Sequence, residues 1–195
     1  MFSILTRINT RINKCKNADK YKLLKNNSVI QWLHGDHSYL MNHTYNDEAD
    51  WGNRLLISYY PNRSRQLWSH VIGEELCKEI YMLRGDTVSP SSRRCRYLPD
   101  LETEKEVIEV KTQSYYHTGS MSEKILGVSF KYIDVPIIYN KPLYIICVGG
   151  AEKICREKYG ILGVKMTSER KKELLDFYKE RGIYYKGATE LLEEI

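Results

Sequence analysis

Residues 97–114 read YLPDLETEKEVIEVKTQS, and their pattern predicts two β-strands joined by a tight polar turn at Thr103–Glu106. Side chains alternate faces along a strand. Along Val107–Gln113, Ile108, Val110 and Thr112 therefore share one face, apolar or β-branched and suited to a core. Glu109, Lys111 and Gln113 share the other face. Asp100 follows Pro99 on the first strand and lies across the hairpin from them. Two facing carboxylates beside a lysine suit a metal site. The same alternation also describes an exposed hairpin with one solvated face.

Upstream, residues 65–83 (RQLWSHVIGEELCKEIYML) repeat apolar residues at helical spacing, with Leu67, Trp68, Val71, Ile72, Leu76, Ile80 and Leu83 in one broad stripe. Glu75 and Glu79 fall within or beside that stripe, and Glu74 falls nearer the opposite side. A carboxylate on the buried side of a helix is costly unless it is paired or metal-bound. Glu75 at the stripe's edge, reaching water, is the plainer alternative. Gly85 follows the last periodic residue, as expected of a helix end. Arg93, Arg94 and Arg96 precede Asp100, where they suit phosphate neutralisation or ordinary surface charge.

Downstream, a short helix is expected from Ser122, a buried strand over Leu143–Val148, and helices over Ala151–Tyr159 and Ser168–Arg181. An extended piece and a last helix finish the chain. The N-terminal fifty residues carry weaker signals. Residues 1–25 are basic, compatible with one or two short helices, a phosphate-binding arm or a solvated terminus. Residues 28–33 (SVIQWL) fit a strand or a helical turn, and Trp51-Gly52 interrupts the pattern that follows. His34, Asp36, His37 and His43 cluster without a recognisable metal spacing, which favours a structural or surface role. The order of elements predicts a single α/β domain over residues 1–195, a small mixed β-sheet flanked by helices, with 1–50 a basic N-terminal segment.

The chain has 195 residues and a formal net charge of +5, which permits nucleic-acid binding without requiring it. The five cysteines form no CxxC pair, which disfavours a zinc ribbon or a disulfide framework and favours a reducing, cytoplasmic compartment. No apolar run approaches the roughly 20 residues of a membrane span. No GxxxxGK[ST] loop is present, so no nucleotide cofactor is expected.

Pro99-Asp100 and Glu109-Val110-Lys111 resemble the two halves of the signature of the PD-(D/E)xK nuclease superfamily, with eight residues between the acids. The stretches PDLET, EVKTQSYY, TGSMSEKILG and KPLYIICVGGAE, after a tryptophan-started helix, resemble one group of type II restriction endonucleases. The resemblance implies a restriction-endonuclease-like core and a Mg²⁺-dependent, sequence-specific cleavage of double-stranded DNA by a homodimer, with Mn²⁺ able to substitute. It implies Asp100, Glu109 and the Val110 carbonyl as metal ligands and Lys111 as the base-like or electrostatic residue. Glu75 is the preferred auxiliary acid, with Glu74, directly after Gly73, close behind. Gln113, Ser120, Ser122 and Lys124 are candidate substrate contacts, beside Arg94 and Arg96. A structure-specific nuclease and a non-catalytic nucleic-acid-binding module are the alternatives.

Overall fold

The hairpin forms where the sequence puts it. In the computed structural model, which describes residues 2–116, 121–163 and 168–195, Thr103 N–H donates to the Glu106 carbonyl at 2.9 Å. The Thr103 hydroxyl accepts from Lys105 N–H and Glu106 N–H. Four helices come first: α1 (Phe2–Asn13), α2 (Asn27–Leu33), α3 (Tyr45–Tyr59) and α4 (Trp68–Arg84). The strands β1 (Ser89–Pro90), β2 (Leu101–Glu102) and β3 (Val107–Gln113) follow, then α5 (Met121–Lys131) and α6 (Val135–Tyr139). Next come β4 (Leu143–Gly149), α7 (Gly150–Ile154) and a π-helical turn, Cys155–Tyr159. The chain closes with α8 (Glu169–Glu180), β5 (Ile183–Gly187) and α9 (Ala188–Glu193).

The five strands lie in the order β1-β2-β3-β4-β5. The first three pair antiparallel, and β3-β4 and β4-β5 pair parallel. The fold is thus α/β, a small mixed sheet flanked by helices. Parallel neighbours need a crossover, and α5 with α6 supplies the one between β3 and β4. Both faces of β3 and β4 are covered. Ile108, Val110, Ile146 and Val148 share a core with side chains of α1 to α4 and α9. Val107, Leu143, Ile145 and Ile183 pack with Val128, Tyr132, Val135 and Tyr139 on the other side. Both halves of the hairpin's alternation are therefore interior, which removes the reading of a solvated polar face.

The N-terminal segment is built into the same core. Ile8 and Ile12 of α1 are fully enclosed, and Arg7 and Arg11 donate to the main-chain carbonyls of Glu193 and Ile195. Residues 28–33 are helical, with Asn26 as the cap accepting from Ser28 N–H. Helix α3 passes straight through Trp51-Gly52: a Cβ at Gly52 would collide with the Trp68 indole, so the glycine is a helix-contact residue here and not a breaker. The Thr44–Asp47 capping box starts that helix. Among the described residues no helix is long and apolar enough to cross a membrane.

Candidate active site

The register of β2 against β3 pairs Leu101 with Ile108, and this brings Asp100 beside Glu109 and Val110. Asp100 N–H donates to the Ile108 carbonyl at 3.1 Å, and Val110 N–H donates to Asp100 Oδ2 at 2.7 Å. Lys111 Nζ donates to Glu109 Oε1 at 2.5 Å and to the Val110 carbonyl at 3.3 Å. Asp100, the Val110 carbonyl, Glu109 and Lys111 thus form one connected group; Asp100, Val110 and Lys111 line a cleft of about 420 Å³, and Glu109 lies behind them, outside the lining. The cleft lies between α4 and α5. The hairpin contributes Asp100, Val110, Lys111 and Thr112 to its lining, α4 contributes His70 and Glu74, and α5 contributes Lys124 and Lys131.

Burial governs the electrostatics. Glu109 is only 4 % exposed, and its Oε2 has no hydrogen-bond partner. The Asp100 carboxyl is pushed up from 3.8 to about 7, first by burial and then by the Glu109 charge; Val110 N–H and the Lys111 ammonium offset part of the rise. Glu74 adds a smaller repulsion. Asp100 and Glu109 together therefore carry more negative charge than the donors around them satisfy. Among the described residues no group of three or more His, Cys, Asp or Glu side chains converges as a metal cage. Two carboxylates, one with a free oxygen, and a main-chain carbonyl are nevertheless a donor set that suits Mg²⁺, which keeps several waters and takes few protein ligands.

Helix α4 requires a correction. Glu75 does not line the cleft; it pairs with Arg63 at 2.9 Å and lies 3.9 Å from Lys78. Glu74 lines the cleft while also pairing with Arg63 at 2.6 Å. The stripe reading assumed one buried face, whereas α4 is enclosed between the sheet and α3, so position relative to a single stripe does not say which glutamate meets the site. The useful signal was Gly73. A Cβ there would collide with the Thr112 hydroxyl, so α4 packs tightly on β3 at this point, and the next residue, Glu74, lines the cleft. Glu79, placed with Glu75 on the buried side, accepts from Leu23 N–H and Leu24 N–H and holds the N-terminal segment.

The expected substrate contacts divide. Lys124 lines the cleft. Arg94 is committed elsewhere: it pairs with Glu102 at 3.1 Å, donates to the Tyr139 carbonyl and stacks on the Tyr139 ring. Arg96 has an 80 % exposed side chain against Asp134, outside the cleft lining. Gln113 is buried on the same face as Glu109 and is not part of the lining. Ser120 lies outside the described residues, as does the side chain of Ser122. His70 and Lys131 were not singled out from sequence, because a lone histidine or lysine on a helix carries no pattern. The His37 ring packs against Tyr115 and Tyr116. Comparison with protein-family models, curated proteins and solved structures finds no match to this chain.

Proposed function

We propose that the protein is a Mg²⁺-dependent endonuclease of the PD-(D/E)xK kind, cutting double-stranded DNA in a sequence-specific way as type II restriction enzymes do. One observation carries the reading: Asp100, which lines the cleft, and the buried Glu109 lie together on the hairpin, with Glu109 Oε1 on the Lys111 ammonium and Oε2 left without a hydrogen-bond partner. Asp100, Glu109 and the Val110 carbonyl would hold the metal. When bound, Mg²⁺ supplies positive charge to the phosphoryl oxygens and eases ionisation of the attacking water. Lys111 offsets charge on the phosphate in the transition state. Lys124 and Lys131 bring a phosphodiester backbone to the cleft edge, an interaction that weakens as salt rises. Glu74 replaces Glu75 as the auxiliary acid. The antiparallel hairpin feeding a parallel strand pair, with α4 behind it, suits a restriction-endonuclease-like core. Two-strand cleavage calls for two copies of the cleft, hence a homodimer.

The test is digestion of a long plasmid at low salt with Mg²⁺ or Mn²⁺. The wild-type protein is expected to give discrete fragments. Asp100→Ala, Glu109→Ala and Lys111→Ala are each expected to lose more than about 1000-fold in cleavage while still retarding DNA in a gel. Full cleavage by any one of the three variants overturns the site. Retardation without any metal-dependent product from the wild type overturns the enzyme reading and leaves a binding module, and cleavage of branched substrates alone points to a structure-specific nuclease.

A further inference from the structure

Outside the cleft, two thiols meet in the core. Cys147 lies on β4, and Cys155 opens the π-helical turn after α7. Their sulfurs are 3.5 Å apart, within hydrogen-bonding distance for thiols, and both residues are fully enclosed with Ile125 and Ala151. We propose that Cys147 and Cys155 are a dithiol site that a low-molecular-weight disulfide, such as oxidised glutathione, converts to an intramolecular disulfide. A disulfide brings its sulfurs to about 2.0 Å, so the two sulfurs have about 1.5 Å to close. The other cysteines are differently placed: Cys15 donates to the Arg11 carbonyl, Cys77 is buried within α4, and Cys95 is exposed.

The chemistry balances. One cysteine, as thiolate, attacks the added disulfide and releases one thiol. The second cysteine then attacks the mixed disulfide and releases the other thiol. The protein loses two protons and two electrons, and the oxidant gains them as two thiols. The hydrogen bond with the Cys155 sulfur, and then burial, hold the Cys147 thiol well above its ordinary range. The reaction therefore waits on local opening, and it speeds up as pH rises. The π turn is the place for that opening in the proposal, because its backbone already departs from α-helical pairing: Ile161 N–H and Leu162 N–H both turn back to the Cys155 carbonyl.

The site is independent of the nuclease reading, and so is its test. The native full-length protein is incubated with oxidised glutathione at neutral and alkaline pH, alkylated, and digested with trypsin without reduction. Lys153 lies between the two cysteines, so the disulfide joins Ile154–Arg156 to a peptide ending at Lys153. The expected result is that linked pair, lighter by two hydrogens than the two free peptides together, forming faster at the higher pH and absent from Cys155→Ser. Recovery of both cysteines alkylated or singly glutathionylated, under conditions that consume Cys95, overturns the proposal. The wild-type measurement alone decides it, whether or not the variant folds.

Discussion

The molecule buries two kinds of carboxylate, and they differ in what answers them. Glu48 is fully enclosed and accepts from Trp32 Nε1–H at 2.7 Å, from the Ser114 hydroxyl and from Tyr115 N–H and Tyr116 N–H. Glu79 accepts from Leu23 N–H and Leu24 N–H, and Glu152 from the Arg156 guanidinium, Thr189 N–H and the Thr189 hydroxyl. Each ties distant parts of the chain together. Asp100 and Glu109 instead face each other with one main-chain N–H and one lysine between them and the Tyr132 hydroxyl nearby, and one oxygen of Glu109 has no hydrogen-bond partner of good geometry. An unpaired buried charge destabilises unless a partner arrives. The first group holds the fold, and the second stores a demand for positive charge. Proton affinity alone does not separate them, since burial also pushes Glu79 up to about 7 despite its N–H donors. Hydrogen-bond satisfaction does.

The contrast is easiest to break through stability. Glu79→Ala strands the N–H groups of Leu23 and Leu24 in the core, and Glu48→Ala strands the Trp32 indole and the Tyr115 and Tyr116 amides. Each is expected to lower unfolding free energy by about 2–4 kcal/mol, read by urea denaturation. Asp100→Asn is expected to leave stability unchanged or raise it at pH 8. If Asp100→Asn destabilises as much as the other two, the division between the groups is wrong.

A smaller effect sharpens the same comparison through pH. The Asp100 carboxyl stands at about 7 in the fold against an ordinary value of 3.8. A raised carboxyl favours the folded state while protonated, so its contribution is full below about pH 4 and is lost as pH climbs through 7. Without Mg²⁺, wild type and Asp100→Asn should match in stability near pH 4, and the variant should pull ahead by pH 8. Millimolar Mg²⁺ should narrow that gap by stabilising the wild type. Parallel pH curves for the two proteins, or no response to Mg²⁺, would contradict the stored repulsion.

The smallest expected effect separates neighbouring glutamates. Glu74→Gln is expected to slow Mg²⁺-dependent cleavage about tenfold, and Glu75→Gln to leave it within about twofold, because only Glu74 lines the cleft. Cleavage rates at saturating DNA decide between them, and the reverse order would return Glu75 to the site.

Much of the site was legible in residue order. A hairpin is local: its turn chemistry and alternation put Asp100, Glu109 and Lys111 on one polar face before any other element is considered. The strand expected over Leu143–Val148, which runs on to Gly149, and the helix ended by Gly85 were legible too, since an apolar run and a helical period are written along the chain. The N-terminal helices were not. Their basic composition gave no hint that Ile8 and Ile12 fill the core, and Gly52 read as a break when it is a point of contact with Trp68. The arginines before Asp100 looked available for phosphate, yet Arg94 is held by Glu102 and Tyr139.

Sequence alone determined the α/β class, the hairpin and the acid–acid–lysine face, because each depends on near neighbours and a repeating period. Only the tertiary structure decided that this face is buried, that Glu74 and not Glu75 meets it, and that Lys131 and His70 join it across the cleft. Those outcomes depend on how closely α4 approaches β3 at Gly73 and on what α5 covers. They are distances between elements far apart in the chain, which no local period encodes.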